Sequence, residues 1–125
     1  MRIIAGRHRG RVLRAPEGAA TRPTADRVRQ ALFDMLWHAP WGGRTVVQDQ
    51  LVLDAFAGTG ALGLEALSRG ADHATFFEID RAALAALRAN ITACKEDARS
   101  AVVAADTTRP PRARVPCGLI FLDPP

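Results

Sequence analysis

From residue 51 onward, short apolar runs alternate with helical segments, and glycines separate them. Residues 51–56 (Leu-Val-Leu-Asp-Ala-Phe) have the composition of a buried strand, and the helix predicted over 61–69 ends at Gly70. Strands separated by helices predict a parallel sheet flanked by helices, which is a Rossmann-like α/β architecture. The remaining predicted elements are strands over 74–79, 100–105 and 118–122 and a helix over 81–93.

The first 45 residues predict a hairpin followed by one helix. Short strands predicted at 2–5 and 11–14 flank a turn with a glycine at each end, which is typical of a β-hairpin. After a linker, apolar residues recur at helical spacing, and the predicted buried face comprises Val28, Ala31, Leu32, Met35 and Leu36. We therefore divide the chain into an N-terminal unit, residues 1–45, and an α/β unit, residues 46–125.

Positive charge is concentrated at the N-terminus. Residues 1–30 hold eight arginines and two acidic residues, a net charge of +6, whereas the whole chain carries +4. Because arginine binds phosphate through two hydrogen bonds and stacks on bases, this bias favours an arm that contacts nucleic acid. Composition alone supports a solvated arginine-rich surface equally well. The arginines expected to contact RNA are Arg7, Arg9, Arg11, Arg22 and Arg27.

Other classes of protein are disfavoured by composition. No apolar run approaches the roughly 20 residues of a membrane span, and the N-terminus lacks the apolar core of a signal peptide, so we expect a cytoplasmic protein. The two cysteines and three histidines show no metal-ligand spacing, so we expect no metal site.

Residues 58–63 (Gly-Thr-Gly-Ala-Leu-Gly) match the GxGxxG pattern between a strand and a helix. Gly58 and Gly60 let the backbone approach a ligand beside a helix N-terminus. The same motif also occurs in nicotinamide-dependent enzymes and in turns that bind no ligand. Asp54 favours S-adenosylmethionine, because a carboxylate suits a cofactor with ammonium and sulfonium charges and repels a pyrophosphate. Alternatively, Asp54 fixes the loop by accepting backbone hydrogen bonds.

Two further acidic residues follow predicted strands. Glu78, twenty positions after Gly58, has the spacing expected of a ligand for ribose hydroxyls. Asp106 lies just past the third strand, where it could meet an adenine edge or, equally, cap a loop. The predicted cofactor-binding residues are Asp54, Phe56, Gly58, Gly60, Glu78 and Asp106.

The fourth strand ends in Asp123-Pro124-Pro125, the most specific motif of the chain. An exocyclic amine on a base is a poor nucleophile because its lone pair is delocalised into the ring. The Asp123 carboxylate and the Pro124 carbonyl could accept both amine hydrogens and direct the lone pair at a sulfonium methyl. Asp123, Pro124 and Pro125 are therefore the predicted catalytic residues, and the alternative is a simple strand terminator.

Segments throughout the chain resemble the RsmD family of 16S rRNA guanine-N2 methyltransferases. The resemblance implies the class I methyltransferase fold, S-adenosylmethionine as cofactor, and a guanine of 16S rRNA or the small ribosomal subunit as substrate. It also implies that the N-terminal hairpin contacts rRNA, and we expect a monomer. The matching segments are residues 2–6, 9–11, 22–33, 53–70, 77–80 and 123–125.

The resemblance also exposes one departure. The family continues with an aromatic residue directly after the two prolines and with three more strands, whereas this sequence stops at Pro125. We therefore expect a fragment or a truncated gene product whose 125 residues bind the cofactor weakly at best and show no turnover. The missing aromatic residue would stack on the target base, and the missing strands would cover the apolar edge of the fourth strand.

Three other interpretations stay open at the level of sequence. A nicotinamide-dependent oxidoreductase would share the glycine motif and an acidic residue but leaves Asp-Pro-Pro unexplained. A non-catalytic RNA-binding remnant would explain the basic N-terminus. A methyltransferase acting on another base of DNA or RNA would also use Asp-Pro-Pro, because that motif serves adenine and cytosine amines too.

Overall fold

The computed structural model describes residues 1–16, 23–113 and 115–125. The predicted strands and helices from residue 51 onward are confirmed within two residues of their expected bounds. None of the helices in the described ranges is both long and apolar enough to cross a membrane. The elements are α1 (Pro23–His38), a 3-10 turn (Arg44–Val46), β1 (Leu51–Asp54), α2 (Ala61–Ser68), β2 (His73–Phe77), α3 (Arg81–Ala93), a second 3-10 turn (Asp97–Arg99), β3 (Ser100–Val103) and β4 (Leu119–Phe121).

All strand pairs of the sheet are parallel, in the order β3-β2-β1-β4. β2 and β3 are therefore added in turn on one side of β1, and β4 then pairs with β1 on its other side. Asp54 at the end of β1 lies level with Phe76 of β2 and Phe121 of β4. In open α/β sheets, ligands bind outside the carboxyl ends of the strands where the strand order reverses. The Rossmann-like prediction is confirmed, and β1 and β4 flank that position.

The core lies on one face of the sheet, where residues of all three helices join one apolar cluster. Gly63 in α2 packs closely on Phe76, because an added Cβ there would overlap the phenyl ring. On the alternate face, Phe77 is buried but Ile120 is 52% exposed. The buried strand residues of the cluster are Val52, Ala74, Phe76 and Phe121, and its helical members include Phe33, Leu64, Leu67, Leu87 and Ile91.

Residues 1–14, which we call the N-terminal arm, fold back antiparallel as predicted, but the two predicted strands, 2–5 and 11–14, are reduced to one bridged residue each. Its only bridge in the described chain joins Arg2 and Val12, and the Ile3 N–H donates to the Arg11 carbonyl over 3.0 Å. Ile3 and Leu13 are 2% and 4% exposed and belong to the same apolar cluster as the sheet. The arm is therefore packed on the α/β unit through apolar contacts as well as backbone pairing.

A buried carboxylate in α2 fastens the arm. Glu65 is fully buried, and its two oxygens accept hydrogen bonds from the N–H groups of Ile4 (2.9 Å) and Ala5 (3.1 Å). The same oxygens accept from Nε of Arg29 (3.1 Å) and Nε of Arg69 (2.9 Å). One side chain thus joins the arm, α1 and the end of α2.

The orientation of α1 differs from the predicted one. Val28 and Met35, expected in the core, are 61% and 52% exposed, whereas Arg29 and Phe33 are buried. Two contacts set which face of α1 points into the core. Arg29 pairs with Glu65, and the Phe33 ring lies 5.6 Å from the ring of Phe121. Of the predicted face, Leu36 is buried and Leu32 is partly buried against the core.

Two glycines of the arm allow a matched test of its docking. Gly6 and Gly10 both adopt positive φ, +86° and +83°, but only a Cβ at Gly6 would overlap a neighbour, the carbonyl oxygen of Ser68. We expect Gly6→Ala to lower the free energy of unfolding by about 1 to 3 kcal/mol more than Gly10→Ala, because overpacking adds to the shared backbone strain. Urea denaturation measures both, and equal losses would contradict this close docking.

Candidate active site

Three predicted acidic residues meet at the carboxyl edge of the sheet. Asp54 is the last residue of β1, Glu78 directly follows β2, and Asp123 lies two residues after β4. The charges of Asp123 and Glu78 both raise the pKa of Asp54, after the larger effect of its burial. Because β2, β1 and β4 are parallel neighbours, the residues that end or follow them lie along the same edge of the sheet.

Asp54 sits at the centre of this edge and is 1% exposed. Its Oδ2 accepts a hydrogen bond of 3.0 Å from the N–H of Gly63, whereas Oδ1 is buried and has no hydrogen-bond partner within the described chain. Burial raises the pKa of Asp54 to about 7, against the lowering effect of the Gly63 bond. Asp54 therefore accepts a backbone hydrogen bond from the glycine motif, as one of its two predicted roles requires, and its Oδ1 remains without a donor in the described chain.

The glycine loop between β1 and α2 is shaped by positive backbone angles. Gly58 has φ +56° and Gly60, the residue before α2, has φ +86°. A Cβ at Gly60 would press on Leu87, but a Cβ at Gly58 would meet no atom within 4 Å. Gly60 is thus required by internal packing, while Gly58 borders open space that a ligand could occupy.

Glu78 is engaged with the backbone around it. Its Oε1 accepts from the N–H of Gly58 over 2.7 Å, and its Oε2 accepts from the N–H groups of Ile79 (2.9 Å) and Asp80 (2.8 Å). A carboxylate offers about four lone-pair positions, so one remains for a ligand hydroxyl. Asp80 caps α3 by accepting from the N–H of Ala83 over 2.9 Å.

Asp106 and Phe56 lie in the loops at this edge. Asp106 is exposed, and its Oδ1 accepts from the hydroxyl (2.7 Å) and the N–H (2.9 Å) of Thr108, which together lower its pKa. This contact is the loop cap that the sequence offered as the alternative for Asp106. The hydroxyl of Thr107 donates to the carbonyl of Ala55, so the loop is tied to β1. Phe56 is half-buried.

The Asp123-Pro124-Pro125 motif follows β4 and is exposed. Its position is fixed through β1, because the Ala55 N–H donates to the carbonyl of Phe121 over 3.0 Å. Asp123 therefore leaves the sheet directly beside the end of β1, as the strand pattern predicted.

The arginines of the arm lie away from the glycine loop and the three carboxylates. Arg7, Arg9 and Arg11 are exposed and line an open basin of about 530 Å³ around the turn of the hairpin. The Arg7 N–H donates to the carbonyl of Ser68 over 2.8 Å, so this turn sits at the end of α2, whereas the glycine loop precedes its start. An eight-residue helix is about 12 Å long, which separates the two regions. Arg27 is exposed on α1, and Arg22 lies outside the described residues.

Two buried polar residues that hold the arm, one of which also bonds the glycine loop, were missed from the sequence. Glu65 stands in the otherwise apolar helix Ala61–Ser68, and a charged residue there is a signal of a buried ion pair. Asn90 lies on the same face of α3 as Leu87 and is 3% exposed. A buried polar residue on an apolar helix face indicates a specific hydrogen-bond role.

The titration of Asp54 predicts a pH-dependent stability. Its pKa is about 7 in the folded chain, against an ordinary value of 3.8, so the folded chain holds an extra proton between those pH values. The contribution of Asp54 to the free energy of unfolding therefore falls as the pH rises through this window. We expect Asp54→Asn to remove this decline in urea midpoints measured against pH, and parallel curves for both proteins would refute it.

Comparison with known proteins places the chain among methyltransferase relatives. It matches the family model described as Conserved hypothetical protein 95 over residues 1–125. It is 43% identical to Ribosomal RNA small subunit methyltransferase D of Escherichia coli (strain K12) over 125 residues, which is 100% of this chain and 60% of that protein. The chain thus spans 60% of the length of this relative.

Solved structures resemble the chain as well. One is yhhF from Escherichia coli, with a TM-score of 0.69 and 47% identity over 86% of this chain and 54% of that one. The other is P. horikoshii TYW2 in complex with MeSAdo, with a TM-score of 0.50 and 30% identity over 54% of this chain and 26% of that one.

Proposed function

Because this chain belongs to the RsmD family, whose model is described as Conserved hypothetical protein 95, we propose that it carries the cofactor site of an S-adenosylmethionine-dependent rRNA methyltransferase. The observation that carries this proposal is that Asp54, Glu78 and Asp123 lie at the carboxyl ends of three neighbouring parallel strands, where Glu78 accepts from the Gly58 N–H and Asp54 from the Gly63 N–H. The name of the Escherichia coli relative supports rRNA as the substrate class.

The residues at this edge fit S-adenosylmethionine. The unpaired, buried Oδ1 of Asp54 suits a cationic ligand, and the space beside Gly58 admits a ligand against the backbone. The remaining lone-pair position of Glu78 suits a ribose hydroxyl. MeSAdo in the TYW2 structure, an analogue of this cofactor, supports the same ligand class. When bound, S-adenosylmethionine supplies an electrophilic methyl group on its sulfonium.

Asp123 and Pro124 are proposed to prepare the acceptor amine. The Asp123 carboxylate accepts one hydrogen of the amine and the Pro124 carbonyl accepts the other, which leaves the nitrogen lone pair outside the ring plane. Pro125 restricts the backbone of this turn. Within the proposal the amine is N2 of a guanine in 16S rRNA, as the family resemblance implies.

The two units are proposed to bind different ligands. Residues 46–125 hold the cofactor, and residues 1–45 contact the RNA through the exposed Arg7, Arg9, Arg11 and Arg27. Since the hairpin turn lies about one helix length from the glycine loop, the RNA contact is remote from the methylated base. An RNA substrate large enough to reach both regions is therefore required.

Calorimetric titration with S-adenosylmethionine tests the cofactor site. We expect Glu78→Ala to weaken binding at least about tenfold, a loss of roughly 1.4 kcal/mol, because it removes the ribose acceptor and releases the Gly58 N–H. Asp72→Ala is the matched control, because Asp72 is exposed and precedes β2 at the opposite edge of the sheet. Titrating both this chain and a version extended to the length of its relatives compares their affinities. Failure of both to bind, or binding of NAD instead, would overturn the proposal.

A second candidate function is RNA binding without catalysis. The exposed arginines around the hairpin turn favour it, because they need no cofactor to bind phosphate. Retention of 16S rRNA by a chain that shows no affinity for S-adenosylmethionine would select this function.

A further inference from the structure

The open end of the N-terminal arm lies on the glycine loop. The Leu13 N–H donates to the Met1 carbonyl over 2.8 Å and closes the hairpin there. The hydroxyl of Thr59, the middle residue of the Gly58-Thr59-Gly60 turn, donates to the Met1 sulfur over 3.8 Å. The arm therefore runs along α2, with its arginine-bearing turn at Ser68 and its open end at the glycine loop.

One buried side chain bonds to both the arm and the loop. The Oδ1 of Asn90 accepts from the N–H of Arg14 over 2.7 Å, and its Nδ2 donates to the carbonyls of Arg14 and Thr59, both over 2.9 Å. Asn90 is 3% exposed, so water does not readily replace these bonds. The last residue of the arm, Arg14, and the glycine loop are thus held by the same carboxamide.

Thr59 lies between Gly58 and Gly60, which both adopt positive φ. The position of its carbonyl is therefore part of the conformation of the glycine loop. The Gly58 N–H is bonded to Glu78, and Gly60 begins α2. A shift of Thr59 would therefore move the groups that border the open space at Gly58.

We propose that Asn90 is a positioning residue that couples RNA contact at the N-terminal arm to cofactor binding at the glycine loop. This inference rests on the proposed function. RNA on the arm restrains Arg14, Asn90 transfers the restraint to Thr59, and the loop then loses less conformational freedom when the cofactor binds. Linkage requires the reverse effect to be equal, so the cofactor raises RNA affinity by the same factor.

Two measurements test the coupling separately from catalysis. The first is hydrogen exchange at the amides of Gly58, Thr59 and Gly60, with and without 16S rRNA transcript. The second is the Kd of S-adenosylmethionine with and without that RNA. In the wild-type chain we expect RNA to slow loop exchange and to lower the Kd by about fivefold or more.

The variants distinguish positioning from simple stabilisation. Asn90→Ala removes all three bonds, and Asn90→Asp keeps an acceptor for the Arg14 N–H but loses the donations to the Arg14 and Thr59 carbonyls. Ser68→Ala is the matched control, because it loosens the arm at its other end by removing bonds to Ala5 (2.6 Å) and His8 (2.8 Å). We expect both Asn90 variants to lose the RNA effect and Ser68→Ala to keep it. Asn90→Asp covers the case in which Asn90→Ala does not fold.

The outcomes separate the two proposals. Slowed exchange without any affinity for S-adenosylmethionine would overturn the proposed function and support the mechanical link from the arm to the loop. Wild-type exchange that RNA leaves unchanged, or an Asn90→Asp chain that keeps the full RNA effect, would overturn the role of Asn90.

Discussion

Replacing Glu65 by Ala is expected to lower the free energy of unfolding by about 3 to 5 kcal/mol, because its removal takes from the buried Arg29 a partner that Asp26 alone does not replace. Arg29 is 3% exposed and pairs with Glu65 at 3.1 Å, while Arg69 pairs with its other oxygen at 2.9 Å. The substitution also leaves the N–H groups of Ile4 and Ala5 without their acceptor. Urea denaturation of both proteins at neutral pH measures the loss.

Glu65→Gln separates charge from hydrogen bonding. The amide oxygen of the glutamine still accepts hydrogen bonds, but its NH₂ group faces N–H donors and finds no acceptor among them. We therefore expect Glu65→Gln to lower the free energy of unfolding less than Glu65→Ala does. Asp97→Ala is a surface control, because Asp97 is exposed and accepts one bond, from the Thr92 hydroxyl at 3.0 Å. A loss below about 1 kcal/mol for Glu65→Ala, within the range of surface ion pairs, would show that the arm is held by its apolar contacts instead.

Asp123→Ala is expected to lower the turnover of an active, extended version of the chain by about 100- to 1000-fold, the range found for removing one preorganised electrostatic contact. The carboxylate is proposed to accept an amine hydrogen in the transition state, so kcat falls while the affinity for S-adenosylmethionine stays within about threefold. Transfer of a labelled methyl group to 16S rRNA measures kcat, and calorimetry measures cofactor affinity.

Two controls define the meaning of that result. Asp72→Ala removes a carboxylate at the opposite edge of the sheet and should leave kcat unchanged. Asp123→Ala also removes a charge that raises the pKa of Asp54, so the Asp54 titration should move to lower pH. Unaltered kcat in Asp123→Ala would exclude a catalytic role and leave Asp123 as a strand terminator.

Helix α1 illustrates where periodicity is not sufficient. The apolar spacing of Val28, Ala31 and Met35 predicts their burial, yet the structure exposes them and buries Arg29. A charged residue is assigned to the surface by any hydrophobicity pattern. Its burial becomes favourable because Asp26 on the same helix and Glu65, which lies 36 positions later, both supply a matching charge.

Glu78 illustrates the same limit within the candidate site. Its spacing from Gly58 indicates an acidic residue beside the glycine loop, and the bond of 2.7 Å to the Gly58 N–H confirms that they are neighbours. The bonds to Ile79 and Asp80 depend on how the chain turns after β2. Such turn geometry follows from the folded backbone, not from spacing.

The sequence by itself determined the strand and helix order, the glycine turn and the edge of the sheet that carries the acidic residues. These features follow from local periodicity and from the rule that parallel strands share one carboxyl edge. Only the tertiary structure decided that Arg29 and Glu65 pair in the interior, that the arginine turn docks at Ser68, and that Asn90 joins the arm to the loop. Each of these depends on polar groups far apart in sequence that become satisfied partners only when folding removes both from water.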